Sequence, residues 1–386
     1  MFASASAASA DNGRQDVRES FSFYWCADGD ASEQIQPPHA VMRQDVVVFY
    51  DQFFGLYPKI WQGIHFHGGI PQKTNIQSHI AQLAADLDRM LPSQNWSGLA
   101  VIDYESWRPI WEQLDEQYRV ASRNYARLLY PGYADQFIEQ IAKQQFEDAA
   151  REFMLTTINI CQALRPNAKW GFYGDPSELD VTDPTRLQWL FDKCDAFFPS
   201  IYARHVSVEG QPQHPWEIER WRYGHRVNQL CTTSRNIAGS QREVVAFIWR
   251  RYNITTGPYA GLEVLDPDLQ IMVRTPGQHG ADGVVVWDAI HTFNQALDAH
   301  YFGINRLAPE IDCYLRLTDC GDNASGAEQG CPADFNDDGW TNATDLADIL
   351  TAWGDESTAF DLDGDGVIGA ADLSKLLAFW GPCPEE

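Results

Sequence analysis

The chain has 386 residues, 44% of them hydrophobic, and a formal net charge of −26 at pH 7. That length is enough for one large domain and one small domain. The acidic balance argues against nucleic acid or an anionic membrane as the partner, because both would be repelled. No apolar run approaches the roughly 18 residues of a membrane span, so no spanning segment is predicted.

From residue 21 onward, short apolar runs alternate with amphipathic stretches. Seven runs bounded by turn residues are predicted as buried strands, at residues 21–25, 46–50, 99–102, 169–173, 196–201, 243–249 and 283–287. Helices are predicted at residues 76–90, 133–164 and 214–230. This alternation predicts an α/β fold, a parallel (β/α) TIM-like barrel of about seven strands, with the active site at the C-terminal strand ends.

Two carboxylates stand at the end of the third predicted strand. Asp103 and Glu105 lie two positions apart after an apolar run. Side chains i and i+2 of a strand point to the same side, roughly 6–7 Å apart. Since two such carboxylates do not both ionise easily, the pKa of one should rise into the range of a general acid. The structural alternative is that Glu105 caps a turn and Asp103 pairs with Arg108.

Aromatic residues end the other predicted strands. Tyr50, Tyr173, Tyr202 and Trp287 each fall at or near the end of an apolar run. Because the C-terminal ends of parallel barrel strands meet at one rim, these side chains are expected to share one face with the carboxylate pair. Packing alone is a poor explanation for that coincidence.

Six further segments accompany LAVIDYESWRP at 99–109: FYD at 49–51, FGLYP at 54–58, HGGIPQ at 67–72, WGFYG at 170–174, FPSIY at 198–202 and GVVVW at 283–287. In this order and spacing they resemble the animal-type hyaluronidases, endo-β-N-acetylhexosaminidases with a distorted (β/α) barrel. The resemblance covers about residues 21–300. Four departures, none of which removes a catalytic group, are His67 for Asn, Tyr104 for Trp, Ser106 for Glu and Asp175 for Phe.

The resemblance implies that the enzyme cleaves hyaluronan at internal bonds by substrate-assisted, retaining hydrolysis, with no cofactor in catalysis. Glu105 would protonate the glycosidic oxygen and then activate water. Asp103 would hold the 2-acetamido group of the substrate while the acetamido oxygen attacks the anomeric carbon. The substrate-binding residues implied by the family pattern are Tyr50, Asp51, Tyr173, Tyr202 and Trp287.

Two other functions stay open at this stage. Hyaluronan and chondroitin differ at one hydroxyl of the hexosamine, so a chondroitin-preferring hydrolase is one alternative. A non-catalytic glycan-binding barrel is the other, although intact Asp103 and Glu105 argue against it.

A polyanionic substrate requires a locally basic groove in this acidic chain. The candidates are Arg204, His205, Arg250 and Arg251. The alternative interpretation is that these are ordinary solvated side chains.

Two twelve-residue segments, 334–345 and 361–372, repeat at an offset of 27. Each has oxygen ligands at positions 1, 3 and 5, glycine at 6, a backbone carbonyl at 7 and a carboxylate at 12, which is the spacing of a calcium loop. The predicted ligands are Asp334, Asn336, Asp338, Trp340, Asn342 and Asp345 in the first loop, and Asp361, Asp363, Asp365, Val367 and Asp372 in the second. An acidic turn repeat without metal is the alternative.

Aspartate at position 12 and the tandem arrangement resemble dockerin modules. The resemblance implies structural Ca²⁺, a small all-α EF-hand pair, and a cohesin-like or cell-surface protein as partner of a secreted or cell-surface bacterial enzyme. The expected domains are a flexible N-terminus at 1–20, the barrel at 21–313, a linker at 314–333 and the dockerin-like module at 334–383. With no C-x-x-C pair, zinc is not predicted, and Cys161 is expected to be buried and free.

Overall fold

The computed structural model describes residues 21–30, 32–174, 184–203, 216–253, 261–316, 333, 335, 340–354, 360, 362, 367–378 and 381–382. The chain divides into two compact units, Met1–Leu315 and Arg316–Glu386. Near the end of the first unit, Tyr314 packs on the rings of Phe21 and Phe23 at 4.9 and 5.6 Å between centroids. None of the described helices is long and apolar enough to cross a bilayer.

Seven parallel strands form the barrel of the first unit. They are β1 (Ser22–Asp28), β2 (Val46–Tyr50), β3 (Leu99–Asp103), β4 (Lys169–Phe172), β5 (Ala196–Phe197), β6 (Glu243–Trp249) and β7 (Gly283–Ala289). All seven predicted strands are present. Hydrogen bonding gives one sheet in the order β1-β7-β6-β5 and another in the order β2-β3-β4.

Two narrow seams join these sheets into a ring. At one, the Arg43 N–H donates to the Phe23 carbonyl and the Arg43 carbonyl accepts from Trp25, both at 2.8 Å. At the other, Tyr173 bridges to Phe198 in parallel register. The seven strands therefore close into a barrel.

The fifth strand is shorter than the predicted 196–201. Regular pairing stops at Phe197, and Pro199 follows. Proline has no N–H to donate to a ladder, although its carbonyl still accepts from Phe247 at 2.8 Å. The segment continues alongside β6 through one isolated bridge, between Ser200 and Phe247.

Eight helices surround the barrel in the described part of the first unit. They are α1 (Ile76–Met90), α2 (Glu116–Leu129), α3 (Asp135–Leu164), α4 (Gln188–Phe191), α5 (Trp216–Ala238), α6 (Asp266–Gln278), α7 (Phe293–Phe302) and α8 (Ala308–Arg316). The predicted helix at 133–164 starts two residues later, and the one predicted at 214–230 ends eight residues later. Cys161 is buried in α3 with a free thiol, as predicted.

The alternation of side chains along each strand separates two apolar layers. One face of the strands packs on the helices in the larger core. The other face fills the barrel interior with residues such as Val48, Val101 and Phe247. Gly171 lies on β4, and a Cβ there would come within 2.2 Å of the Ala196 carbonyl oxygen. Only glycine allows the strands this close approach.

A β-hairpin, Lys59–Trp61 and Ile64–Phe66, follows β2 and was not among the predicted elements. Its two-residue loop has both Gln62 and Gly63 at positive φ, +50° and +77°. That pair of conformations is the primed turn that matches the natural twist of a hairpin.

The second unit contains α9 (Ala343–Thr351) and α10 (Ala370–Ala378). Asp345 accepts from the backbone N–H of Phe335 and of Asn342, both at 2.8 Å. Asp372 accepts from Leu362 and Gly369 in the same way, both at 2.7 Å. The sequence repeat at an offset of 27 is thus also a repeat of hydrogen bonds around two buried aspartates.

Candidate active site

On each of several barrel strands, the inward-facing residues are apolar along the strand and polar or aromatic at its end, so these last side chains lie at one rim. Val46 and Val48 face the interior and Tyr50 follows them, just as Val101 precedes Asp103. Tyr173, Trp249 and Trp287 end the interior faces of β4, β6 and β7 in the same manner. Because the period of a strand is two, the sequence of each strand alone brings its terminal side chain to this opening.

Asp103 and Glu105 lie together at the rim. Asp103 is the last residue of β3, and its carboxyl is hydrogen-bonded to that of Glu105, which is exposed in the following loop. Burial raises the pKa of Asp103 well above its usual range, and the Glu105 carboxyl raises it further. The charge of Arg108 opposes this rise without cancelling it. The pair therefore holds a proton more strongly than isolated carboxyls would.

One oxygen of this pair has no partner. The buried Oδ1 of Asp103 accepts no hydrogen bond from any described residue. A buried acceptor left unpaired costs free energy. A substrate donor that reaches this atom would recover that cost.

Three aromatic side chains form a wall beside the carboxyl pair. Tyr202 stacks on Trp287 with centroids 6.2 Å apart and an interplanar angle of 21°. Tyr173 lies 6.3 Å from Tyr202, and the two phenols hydrogen-bond to each other. Tyr173 also donates to the Ser200 hydroxyl at 3.1 Å. Burial raises the pKa of both phenols, so they stay protonated.

Tyr50, at the end of β2, links this wall to β1. Its hydroxyl accepts from Trp287 Nε1 at 2.8 Å and also hydrogen-bonds to Asp28 at the end of β1. Burial raises the pKa of Tyr50, so it too remains a neutral phenol. The position of the Trp287 indole is thereby fixed by a hydrogen bond as well as by stacking.

Asp51 does not present a free carboxylate. Its Oδ1 accepts from Lys59 Nζ at 2.8 Å, with the two side chains only 13% and 19% exposed. Its Oδ2 accepts from the Ser106 hydroxyl at 3.3 Å. Asp51 is nevertheless close enough to raise the pKa of Asp103. The predicted sugar-binding residue is thus part of an ion pair at the edge of the site.

Arg250 is not a groove residue, contrary to the sequence prediction. It is 3% exposed and its guanidinium pairs with Asp288 and Glu263. A buried charge needs such partners, because desolvation without them is costly. Asp288 also accepts from Trp249 Nε1 at 2.8 Å, which holds that indole next to Trp287. Arg250 therefore supports the aromatic wall from behind.

Several predicted residues lie outside the described ranges. These are Arg204, His205, Asp175 and six of the predicted calcium ligands, Asp334, Asn336, Asp338, Asp361, Asp363 and Asp365. In the described part of the chain, no three His, Cys, Asp or Glu side chains form a group suited to a metal ion. Arg251, the remaining groove candidate, donates to the Gly261 carbonyl and lies 3.9 Å from Asp298.

Sequence reasoning missed Lys59, Trp249 and Asp288. The alternation K-I-W-Q-G-I-H-F around a Gln-Gly turn is a hairpin signal that would have placed Lys59 beside β2. Trp249 ends a predicted strand as Trp287 does, and the same strand-end argument applied to it. The carboxylate of Asp288 follows Trp287, but only the fold shows that it turns to Arg250.

Comparisons with known proteins find similarity to hyaluronidases. A family model described as Hyaluronidase matches residues 30–184. The hyaluronidase of Apis mellifera is 26% identical over 344 residues, which cover 78% of this chain and 86% of that protein. The hyaluronidase of Polistes annularis is 29% identical, covering 63% and 68%. Human hyaluronidase-1 is 30% identical, covering 65% and 60%.

Solved structures show the same fold. A crystal structure of bee venom hyaluronidase superimposes with a TM-score of 0.62 at 25% identity, over 75% of this chain and 99% of that one. A second, of bee venom hyaluronidase in complex with a hyaluronic acid tetramer, gives a TM-score of 0.63 at 23% identity, over 75% and 98%.

Proposed function

We propose that the chain is a glycoside hydrolase of the hyaluronidase type and that it hydrolyses β-N-acetylhexosaminide bonds within hyaluronan chains; the similarity to hyaluronidases in sequence and fold supports this. The observation that carries the proposal is the hydrogen-bonded pair of Asp103 and Glu105 at the barrel rim. When one carboxyl is exposed and its neighbour is buried, their pKa values differ, and the two groups can take different catalytic roles. Its relatives are described as hyaluronidases, which supports hyaluronan as the substrate.

In the proposed mechanism the pair gives its proton to the leaving group. The acetamido N–H of the substrate donates to the unpaired Oδ1 of Asp103. A hydrogen bond to a carboxylate favours its ionised form, so the shared proton moves to Glu105. Glu105 then protonates the glycosidic oxygen, while the acetamido oxygen attacks the anomeric carbon. In the second step Glu105, now a carboxylate, takes a proton from the incoming water.

The aromatic wall supports this chemistry by orientation. Tyr173 and Tyr202, as neutral phenols, are proposed to hold the acetamido group in line with the anomeric carbon. Trp287 would cover the apolar face of the sugar. Correct orientation of a neighbouring group is worth a large part of the barrier in an intramolecular attack.

The decisive experiment is product analysis on hyaluronan, chondroitin and chitin oligomers. We expect new reducing ends, products released from the chain interior, and a saturated non-reducing end, because hydrolysis adds water. A lyase would leave an unsaturated uronate that absorbs in the ultraviolet. A rise of that absorbance during digestion would exclude the hydrolase, and faster cleavage of chondroitin than of hyaluronan would assign the other substrate.

For the second unit, we propose a dockerin-like module with two structural Ca²⁺ ions. The repeat of calcium-loop spacing at an offset of 27 and the matching hydrogen bonds of Asp345 and Asp372 support it. A cohesin-like or cell-surface protein is the proposed partner, and the enzyme is proposed to act outside the cell.

Deleting residues 321–386 should leave turnover of short oligosaccharides nearly unchanged, because all the proposed catalytic groups lie in the barrel. Calorimetric titration should show about two Ca²⁺ bound by the full chain and none by the deletion variant. Chelator should lower the thermal stability of the full chain only. Loss of activity on chelation in the deletion variant would instead reveal a metal site within the barrel.

A further inference from the structure

The hairpin after β2 leaves one face uncovered. Trp61 pairs with Ile64 and Lys59 pairs with Phe66 across its two strands. Since alternate residues of a strand share a face, these four side chains lie on the same side. The opposite side is fixed to the barrel by Ile60, which is 6% exposed within the main core.

The uncovered face is apolar. Trp61 is 62% exposed, Ile64 58% and Phe66 38%. Single exposed apolar residues are ordinary, but a contiguous group of large ones indicates an interaction surface. The face keeps its shape without a partner, because the Ile60 N–H donates to the Tyr118 hydroxyl at 3.1 Å and the turn is a tight two-residue loop.

This face is continuous with the candidate active site. Lys59 lies on it and reaches Asp51 at 2.8 Å. Asp51 follows the rim residue Tyr50, its backbone N–H donates to the Asp103 carbonyl at 3.1 Å, and its charge acts on the Asp103 carboxyl. A molecule bound at the carboxyl pair and extending past Asp51 therefore meets the exposed hairpin face next.

We propose that Trp61, Ile64 and Phe66 form a second sugar-binding wall that holds rings of the polysaccharide beyond those at the carboxyl pair. The proposal rests on the proposed function, in which the substrate is a polymer long enough to span both regions. Pyranose rings present apolar C–H faces that pack on an indole, while their hydroxyls and carboxylates remain hydrated at the edges. None of the three wall residues carries a charge, and Lys59 on the same face is paired with Asp51, so the wall does not repel a polyanion.

The test compares Trp61→Ala, Trp61→Phe and, as a matched control, Trp353→Ala, whose indole is 46% exposed in the second unit. KM and kcat are measured on hyaluronan fragments of increasing length. Trp61→Ala should raise KM for long fragments about tenfold, the loss typical of a central aromatic contact. It should leave kcat, and both constants for the shortest cleaved fragments, unchanged. Trp61→Phe should restore most of the affinity, and Trp353→Ala should behave as wild type.

An equal KM for long fragments in wild type and Trp61→Ala would overturn the proposal, as would a loss independent of fragment length. Sedimentation that shows wild-type dimers and monomeric Trp61→Ala would assign the face to a second copy of the chain and also overturn it. A direct measurement of fragment binding tests this inference separately from the proposed function. If the wild type releases no reducing ends, the function fails, yet tryptophan fluorescence still shows whether long fragments bind in a Trp61-dependent way.

Discussion

Replacing Glu105 with glutamine is expected to abolish hydrolysis while leaving the binding of hyaluronan fragments largely intact. The amide keeps the shape of the side chain and its place beside Asp103, but it has no proton to give to the glycosidic oxygen. General acid catalysis is worth on the order of 10²–10⁴-fold, so kcat should fall by at least that factor. The measurement is the initial rate of reducing-end release, with fragment binding followed by calorimetry.

The matched control is Glu152→Gln, an exposed carboxylate on the outer helix α3. It removes the same charge from the barrel unit and should change neither kcat nor binding. Retention of most activity in Glu105→Gln would show that another group protonates the leaving oxygen, and the assignment of Glu105 would fall.

Asp103→Asn should be nearly as damaging, by about 10²–10³-fold in kcat, because the cationic intermediate loses the charge that stabilises it. The change removes an ionisable group whose pKa is raised by burial and by Glu105. The exposed Asp148→Asn on α3 is the control and should retain full activity. A loss of only a few-fold would point to a protein nucleophile that the proposed mechanism lacks.

Asp103→Asn should also unfold at a higher temperature than the wild type at neutral pH. A carboxyl whose folded pKa is raised contributes stability below its ordinary value of 3.8 and loses that contribution as the pH rises. Asparagine stays neutral, so it does not lose that contribution. The gain in Tm should therefore shrink as the pH falls toward 4, and a Tm difference that is constant with pH would contradict the buried, proton-binding state of Asp103.

The barrel could be predicted from the sequence because the pattern that indicates each strand is local. The seven strands are apolar runs whose period of two sets which side chain ends at the rim. Asp103, Tyr50 and Trp287 follow from that rule without any tertiary information. The fifth strand departs because Pro199 removes one donor, an effect visible in the sequence but not weighed against the apolar run.

What sequence could not supply were pairings between distant segments. Arg250 and Arg251 are adjacent basic residues, yet Arg250 turns inward to Asp288, 38 positions away. Asp51 matched the family pattern, but its partner Lys59 lies on a hairpin whose position depends on Ile60 entering the core. Which charged side chains pair depends on which of them the fold buries together, and local sequence patterns do not encode that.

The pairing of β1 with β7 has a consequence for biosynthesis. Residues 22–28 leave the ribosome well before residues 283–289, yet their longest ladder is with that segment. The barrel cannot close until it is almost fully translated, so the edge of β1 stays without its partner strand β7 during elongation. Open strand edges template association with other chains. Yield of soluble enzyme should therefore depend on translation speed and chaperone supply more than on the stability of the finished barrel.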